Sequence, residues 1–423
     1  MSSVSLSTPS SMDVNKDLSE LSIVVFSYPS IDNHAHAILR EEHKNAYPFE
    51  GLITEARSER GLKEDAKYTV ACFRATGQLS KLFNLGPNAD WEFVKAYRNS
   101  LPYERLCRVC MEPTKIQCIL IDDGLGLGGA DKSKLYDYRW HDRLTGSPTK
   151  RIVRVETLAE DILRRLLDKQ IAENNVTPTE LLVEFTQELT ASLQASAADP
   201  EVSGFKSIVC YRTGLDISTN PDTNAIERLV IGLILVYMSK GVLRLADKAL
   251  NDYIVNVTMK VAGDCGKPGL GDNDLTLRLS SPALMQPLIE AYPKTRVVLL
   301  HSSYPYTREA GYLTAMYDNV FLDFGEIFPF VSPDGQREVL RQVLELAPTN
   351  KIMWSTDALF WPESYYLGAL QARQAIFEVM ENSMRKLELT LPQAIGIVKR
   401  VFFENANNVY NLGLEPYFIR PSP

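Results

Sequence analysis

"ALNDYIVNVTMKVAGDCGKPGLGDND", residues 249–274, decides how many strands this chain can supply to a sheet. Its β-branched residues suggest a strand. However, Leu250, Tyr253, Ile254, Val257 and Val261 recur at spacings of three and four, the helical period. Gly266 and Pro268 end that helix, and the "GLGDND" that follows reads as a turn. No strand is therefore expected between Tyr211 and Arg296.

Outward from this gap, seven strands are predicted: "PSIDNH" (29–34), "IQCILID" (116–122), "RIVRVE" (151–156), "FKSIVCY" (205–211), "RVVLLH" (296–301), "VFLDF" (320–324) and "KIMWSTD" (351–357). They alternate with helical patterns such as "TLAEDILRRLLDKQIA" and "SPALMQPLIEAY", the signature of a parallel α/β architecture. The closed form of that architecture, a (β/α)8 TIM-like barrel, needs eight strands. By this count strand 5 is deleted. Residues 42–111 are too long for one crossover and read as a helical insertion after strand 1, a lid or rim. One barrel domain is expected over 21–415, between a disordered Ser-rich tail (1–20) and a C-terminal tail (416–423).

A net charge of −8 with no basic cluster excludes a nucleic-acid backbone as partner. The longest apolar run, "LVIGLILVYM" (229–238), is too short for a bilayer, which needs roughly 20 residues, and is expected to be a buried helix. No membrane partner is expected, and the first 16 residues, which lack a charged start and an apolar core, are not expected to be a secretory signal. The six cysteines lack the spacing of a disulfide scaffold, so a cytoplasmic location is expected. Cys107 and Cys110 form a C-x-x-C, but no second pair follows and the segment looks helical, so structural zinc is not expected there.

Catalytic groups of such a barrel collect at the C-terminal ends of its strands. His34 and His36 stand at one such end, His301 closes another, and Asp357 closes a third. In an extended chain residues i and i+2 point the same way, so both imidazoles of H-x-H can meet one ion. A lone H-x-H is more often a surface or capping pair; its coincidence with His301 and Asp357 favours a metal site. Three imidazoles and a carboxylate suit a divalent ion, zinc first and manganese as the alternative. Such an ion makes bound water acidic and polarises a carbonyl. Asp357 and His301 are the candidate catalytic residues, with Asp357 moving a proton from water to the leaving group. Lys206, Arg212, Arg308 and Glu309 are candidates for substrate binding, since cations grip carboxylates, although each alone is more often a salt-bridge partner at the rim. Asp122, Asp123, Asp323 and Glu326 fall in the same zone with weaker signals. His43 and His141 have no strand-end placement and are left outside the site.

The segments "DNHAHAI", "GFKSIVCYRTGLDI", "GLGDNDLTLRLSSP", "LLHSSYPYTREAGYL", "LDFGEIFPFVSPDGQ" and "WSTDALFWPESYYLGALQAR" together resemble an amidohydrolase-related family of the amidohydrolase superfamily, over residues 25–415. The resemblance implies a metal-dependent barrel with His34 and His36 on strand 1, His301 on strand 6 and Asp357 on strand 8. Some fungal members continue into a glutamine-synthetase-like half, and its ligase activity is not inferred for residues 1–423. In relatives a short strand carrying a histidine separates "GKP" from "GLGDND"; here Pro268 runs directly into Gly269. Either another segment near 267–270 fills the gap, or the barrel is damaged there, or the gene is mis-joined.

Three functions compete. The first is a metal-dependent hydrolase of an amide or other C–N bond in a small molecule. The second keeps the metal but performs non-hydrolytic decarboxylation. The third is a pseudoenzyme that binds a metabolite or partner because a ligand is missing. The enzyme readings are preferred, and a homo-oligomer is compatible with the sequence.

Overall fold

Every residue of Ile116–Asp122 is buried, as expected of a strand covered on both faces of a parallel sheet. In the computed structural model, which describes residues 11–56, 58–124, 132–174, 177–241, 243–271 and 276–418, this segment is β2 of an eight-stranded sheet paired in sequence order. The other strands are β1 (Ser30–Ala35), β3 (Lys150–Arg154), β4 (Val202–Ser207), β5 (Gly269–Gly271), β6 (Val297–Leu299), β7 (Val320–Asp323) and β8 (Ile352–Met353). All pairings are parallel. The sheet curls: Asp357 N donates to His34 O (3.0 Å) and His36 N to Ala358 O (2.8 Å), so β1 lies beside the residues that follow β8.

Inside the curl Ile31, Leu120, Ile152, Val298 and Met353 pack under Phe403 and Tyr410. Outside it, helices Val155–Ala172, Pro178–Ala198 and Lys248–Cys265 bury Leu163, Leu181, Phe185 and Ile254 against one another. Each such side chain contributes roughly 1.5–3 kcal/mol relative to exposure. The segment 42–111 contains the helices Glu59–Lys63, Val70–Leu82, Trp91–Ser100 and Tyr103–Met111. No helix among the described residues is long and apolar enough to cross a membrane.

The expected loss of strand 5 is corrected: the segment read as a turn supplies β5. Gly269, Leu270 and Gly271 pair with Phe205, Lys206 and Ser207 of β4, and Gly269 and Leu270 with Val297 and Val298 of β6. Phe205 N also donates to Pro268 O at 2.8 Å. The cause lies in the neighbouring strands, whose buried N–H and C=O groups would each cost about 1–3 kcal/mol if left unpaired. A backbone ladder needs no side-chain signature, so "GLG" can complete it. Close approach also depends on Gly204, where a Cβ would stand 3.0 Å from both Cγ and O of Pro268.

Other boundaries move as well. Residues Ser11–Ser27 are helical, with Leu18, Leu21 and Val25 buried, so the expected tail is helix from residue 11 onward, while residues 1–10 lie outside the described residues. The C-terminal segment is tied down where Tyr417 N donates to Gln117 Oε1 at 2.8 Å. β3 gives way to a helix at Val155, and β4 to a short helix at Val209–Arg212. The apolar run 229–238 lies in the helix Thr223–Lys240, yet Ile231, Leu235 and Met238 are exposed. Its burial was overestimated because only one stripe meets the core: Ile226, Val230 and Ile234, four residues apart, are buried, and Leu233 and Tyr237 are partly buried against the same cluster. Cys107 and Cys110 are buried in a helix, and burial pushes the Cys107 thiol up to about 12.

Candidate metal centre

The end of β1 projects His34 and His36 into the mouth of the curl, 0% and 4% exposed, with ring centroids 5.0 Å apart. Asp357 meets both: its Oδ1 is 3.1 Å from His34 Nε2 and 3.3 Å from His36 Nε2. These contacts lack hydrogen-bond geometry, and Asp357 Oδ1 has no hydrogen-bond partner among the described residues. Three donor atoms thus converge without satisfying one another. Ligand atoms about 2.0–2.1 Å from a tetrahedral zinc stand roughly 3.3 Å apart, so the set fits a divalent ion. His34 Nδ1 and His36 Nδ1 are buried without hydrogen-bond partners among the described residues.

His301 joins from the end of β6, with its ring 5.6 Å from that of His34. Glu326 follows β7, and its Oε2 is 3.5 Å from His301 Nδ1. Ligand atoms of His301, Glu326 and Asp357 lie within 4.8 Å of one another, as do those of His34, His36 and Asp357. His301, Glu326 and Asp357 all adopt positive φ, at 60°, 60° and 51°. Such backbone costs roughly 1–3 kcal/mol per non-glycine residue and gathers at functional sites.

Charged groups surround this mouth. Lys206 of β4 is fully buried; its Nζ lies 2.8 Å from His34 Nε2 and 3.3 Å from Asp122 Oδ2. Arg154 of β3 grips the same Asp122 oxygen, with Nε at 3.1 Å, and His36 Nδ1 faces it at 3.9 Å. Burial, reinforced by the Lys206 ammonium, pulls His34 down to about 4, so its ring is neutral and able to ligate at neutral pH. Burial opposes ionisation of Asp122, but Arg154 and Lys206 outweigh it and hold the carboxyl far below the usual range. For Asp357 burial is likewise outweighed, by His301 and by the contacts with His34 and His36, and the carboxylate stays ionised. For Asp32, burial and the charge of Asp323 push the carboxyl up to about 8 despite two hydrogen bonds from Thr356.

One buried carboxylate ties these strand ends together. Asp323 Oδ2 accepts from Gly325 N (2.9 Å), Ser355 Oγ (2.9 Å) and His301 N (3.3 Å), while Oδ1 accepts from Asn33 Nδ2 (2.8 Å). An apolar cavity of about 90 Å³ is lined by Phe205, Val255, Met259, Leu288 and Leu299, with His301 in its wall.

The sequence-predicted set is therefore brought together in part. His34, His36, His301, Asp357 and Lys206 share the mouth. Arg212 does not reach it: its Nη1 pairs with Glu160 Oε1 (3.3 Å) and Leu245 O (3.0 Å) between helices. Arg308 is exposed and paired with Glu345 at 3.0 Å, and Glu309 is exposed beside it. The helix Thr307–Met316 turns both away from His301. Arg154 and Asn33 were missed, although each is a polar residue at a strand end. Glu326 and Asp323 were weighed and set aside, because one carboxylate after a strand carries little signal. His141, left out, is buried with Nε2 accepting from Ile38 N at 3.1 Å, a structural role.

Comparison with known proteins gives concordant results. Residues 172–412 match the family described as amidohydrolase. Protein fluG of Emericella nidulans is 39% identical over 426 residues, an alignment covering 94% of this chain and 47% of that protein. The chain thus spans about half the length of the curated relative it matches. A Lactobacillus casei protein crystallised as a candidate metal-dependent hydrolase superposes with a TM-score of 0.74 at 25% identity, over 93% of this chain and 97% of that one. A uronate isomerase from Bacillus halodurans superposes at 0.64 with 14% identity, over 96% and 98%, a likeness of fold alone.

Proposed function

The chain belongs to the amidohydrolase family, and from that premise we propose that it is a metal-dependent hydrolase cleaving an amide or related C–N bond of a small molecule. In this reading the curled sheet is a (β/α)8 barrel, its mouth is the active site, and the protein works in the cytoplasm. The observation that carries the proposal is the convergence of His34 Nε2, His36 Nε2 and Asp357 Oδ1, at 3.1 and 3.3 Å, without hydrogen bonds between them.

Those three residues would hold the ion, which when bound lowers the pKa of water toward about 7 and polarises the scissile carbonyl. The chain's own groups do the rest. The Asp357 carboxylate takes a proton from the attacking water and returns it to the leaving nitrogen, so that water's oxygen ends on the carbonyl carbon and the C–N bond breaks. Lys206, beside His34, places a buried positive charge where a substrate carboxylate can be gripped. The apolar cavity next to His301 favours a substrate carrying a small hydrocarbon group on the acyl or amine side.

The test combines metal analysis of the purified chain with a screen of small N-acyl compounds in ¹⁸O-labelled water. Expected are a bound divalent ion, label in the released carboxylate, and loss of both in His34→Ala with the fold intact by circular dichroism. Unchanged metal content in His34→Ala would sink the proposal. Carbon dioxide release without label incorporation would replace hydrolysis by decarboxylation.

A further inference from the structure

β5 offers no side chain to one face of the sheet. Parallel pairing sets Gly269 beside Phe205 and Val297, and Gly271 beside Ser207. Paired neighbours share a face, as do residues two apart on one strand, so the face of Phe205, Ser207 and Val297 is glycine at both positions of β5. Phe205 packs against the helices outside the curl, which makes this the outer face. The apolar cavity of about 90 Å³ lies on it, between Phe205 and Val297 of the sheet and Val255, Met259 and Leu288 of the helices Lys248–Cys265 and Gln286–Ala291. It occupies the space that larger residues on β5 would fill.

The cavity also runs toward the mouth. Residues 297–301 line it without a break. Side chains alternate along a strand, so a void that touches successive residues follows the strand's edge. On that edge β5 pairs with β6 only at Val297 and Val298 among the described residues. The path leads to His301, whose ring stands 5.6 Å from that of His34.

The wall favours hydrocarbon. Three of its hydroxyls already donate within the protein: Ser207 Oγ to Glu156 Oε1 (2.6 Å), Thr258 Oγ1 to Ile254 O (2.8 Å) and Ser280 Oγ to Leu277 O (3.0 Å). Size narrows the choice further. An apolar cavity of about 150 Å³ takes benzene, so one of about 90 Å³ suits a branched alkyl group of roughly three to five carbons. We propose that this cavity is a specificity pocket of the mouth and takes a short branched alkyl group on the acyl side of the substrate, with Val255 and Met259 setting the size limit. The acyl substituent is bonded directly to the carbonyl carbon, whereas the amine substituent is one atom further away, so the former is within reach of a pocket that begins at His301. The acyl assignment rests on the proposed hydrolysis; the preference for a branched alkyl group does not.

The experiment uses the full chain with ¹³C-labelled methionine methyls, Met259 being assigned through Met259→Leu, and follows titrations with acetamide, isobutyramide and benzamide by NMR. Isobutyramide is expected to shift the Met259 methyl saturably and to bind about tenfold more tightly than acetamide, the gain for two further buried carbons, with benzamide weaker than isobutyramide. Val255→Phe fills the cavity and should bring isobutyramide to within about twofold of acetamide. Gly271→Val builds into the same space from the sheet and serves if Val255→Phe fails to fold by circular dichroism. Equal binding of acetamide and isobutyramide by the wild type overturns the pocket, whatever the variants do. So does tighter binding of benzamide than of isobutyramide, or an isobutyramide preference that survives in a folded cavity-filling variant. The two proposals fail separately: hydrolysis of N-acyl compounds with acetamide and isobutyramide bound alike removes the pocket and leaves the hydrolase. An isobutyramide preference with unchanged metal content in His34→Ala removes the hydrolase and leaves the pocket.

Discussion

Replacing Gly325 by alanine tests whether the Asp323 cluster is as tight as its distances indicate. The added Cβ would lie 1.9 Å from Ser355 Oγ and 3.0 Å from Asp323 Oδ2 and Ser355 O. The φ of Gly325 is outside the left-handed region, so the cost is steric rather than torsional. Ser355 Oγ must move by more than 1 Å, which breaks its hydrogen bond to the buried Asp323 carboxyl, at about 1–3 kcal/mol. Overpacking of the surrounding core adds about 1–3 kcal/mol. The reduced freedom of the unfolded chain gives back about 0.4–1 kcal/mol. The net destabilisation is about 1–5 kcal/mol, a large share of a typical 5–15 kcal/mol total. Guanidinium unfolding followed by tryptophan fluorescence, with the buried Trp354 as a nearby reporter, measures it. Ser355→Ala removes the oxygen that the new methyl strikes, so the double variant should show a coupling of at least about 1 kcal/mol. A loss below about 0.5 kcal/mol for Gly325→Ala, or strict additivity in the cycle, would refute the packing argument.

Lys206 donates toward the His34 nitrogen that faces Asp357, so Lys206→Met should tighten binding of the ion by about tenfold, roughly one hydrogen bond's worth; dialysis against Zn²⁺ measures it, and weaker binding would mean Lys206 helps to hold the ion. Burial holds His141 at about 4, below its unfolded value near 6.5. The unfolded state therefore binds the extra proton between those values, and stability present above pH 6.5 is lost as pH falls toward 4. His141→Leu should flatten that slope by up to about 1.4 kcal/mol per pH unit, and an unchanged slope in unfolding titrations from pH 4 to 7 would contradict a neutral buried ring. Arg308→Ala, which removes only an exposed pair with Glu345, should change stability by less than about 0.5 kcal/mol and turnover by less than twofold; a tenfold fall in kcat/KM would restore Arg308 to the site.

What the sequence made legible, and what it hid, divides along physical lines. β2 was plain because seven consecutive buried residues carry an apolar signature. His34 and His36 were plain because the strand period aims both the same way. β5 was hidden because its pairing is made by backbone groups whose partners are set by β4 and β6, and "GLG" contributes no side-chain pattern to reveal it. The helix at Ser11–Ser27 was hidden by its Ser-rich start, while Leu18, Leu21 and Val25 form its buried stripe. Arg308 stands seven positions after His301, yet the intervening turn and helix point it to solvent. Glu326 needed three dimensions: only the approach of β6, β7 and β8 shows a lone glutamate facing a histidine.

β5 also has a consequence in time. A strand of three residues, two of them glycine, pairs with β6 at only two positions, Gly269 with Val297 and Leu270 with Val298, and an apolar void adjoins that seam. Free energies of local opening track the number of buried contacts and ladder bonds. Amide protons of β4 and β6 that face β5 should therefore exchange with deuterium through a low-energy opening, while those of β2 wait for global unfolding. The seam separates His34, His36, Asp122 and Lys206, which arrive before it in the chain, from His301, Glu326 and Asp357, which arrive after it. Breathing at this one line would widen the mouth between the two groups, and slower exchange there on adding a divalent metal would record binding that clamps it shut.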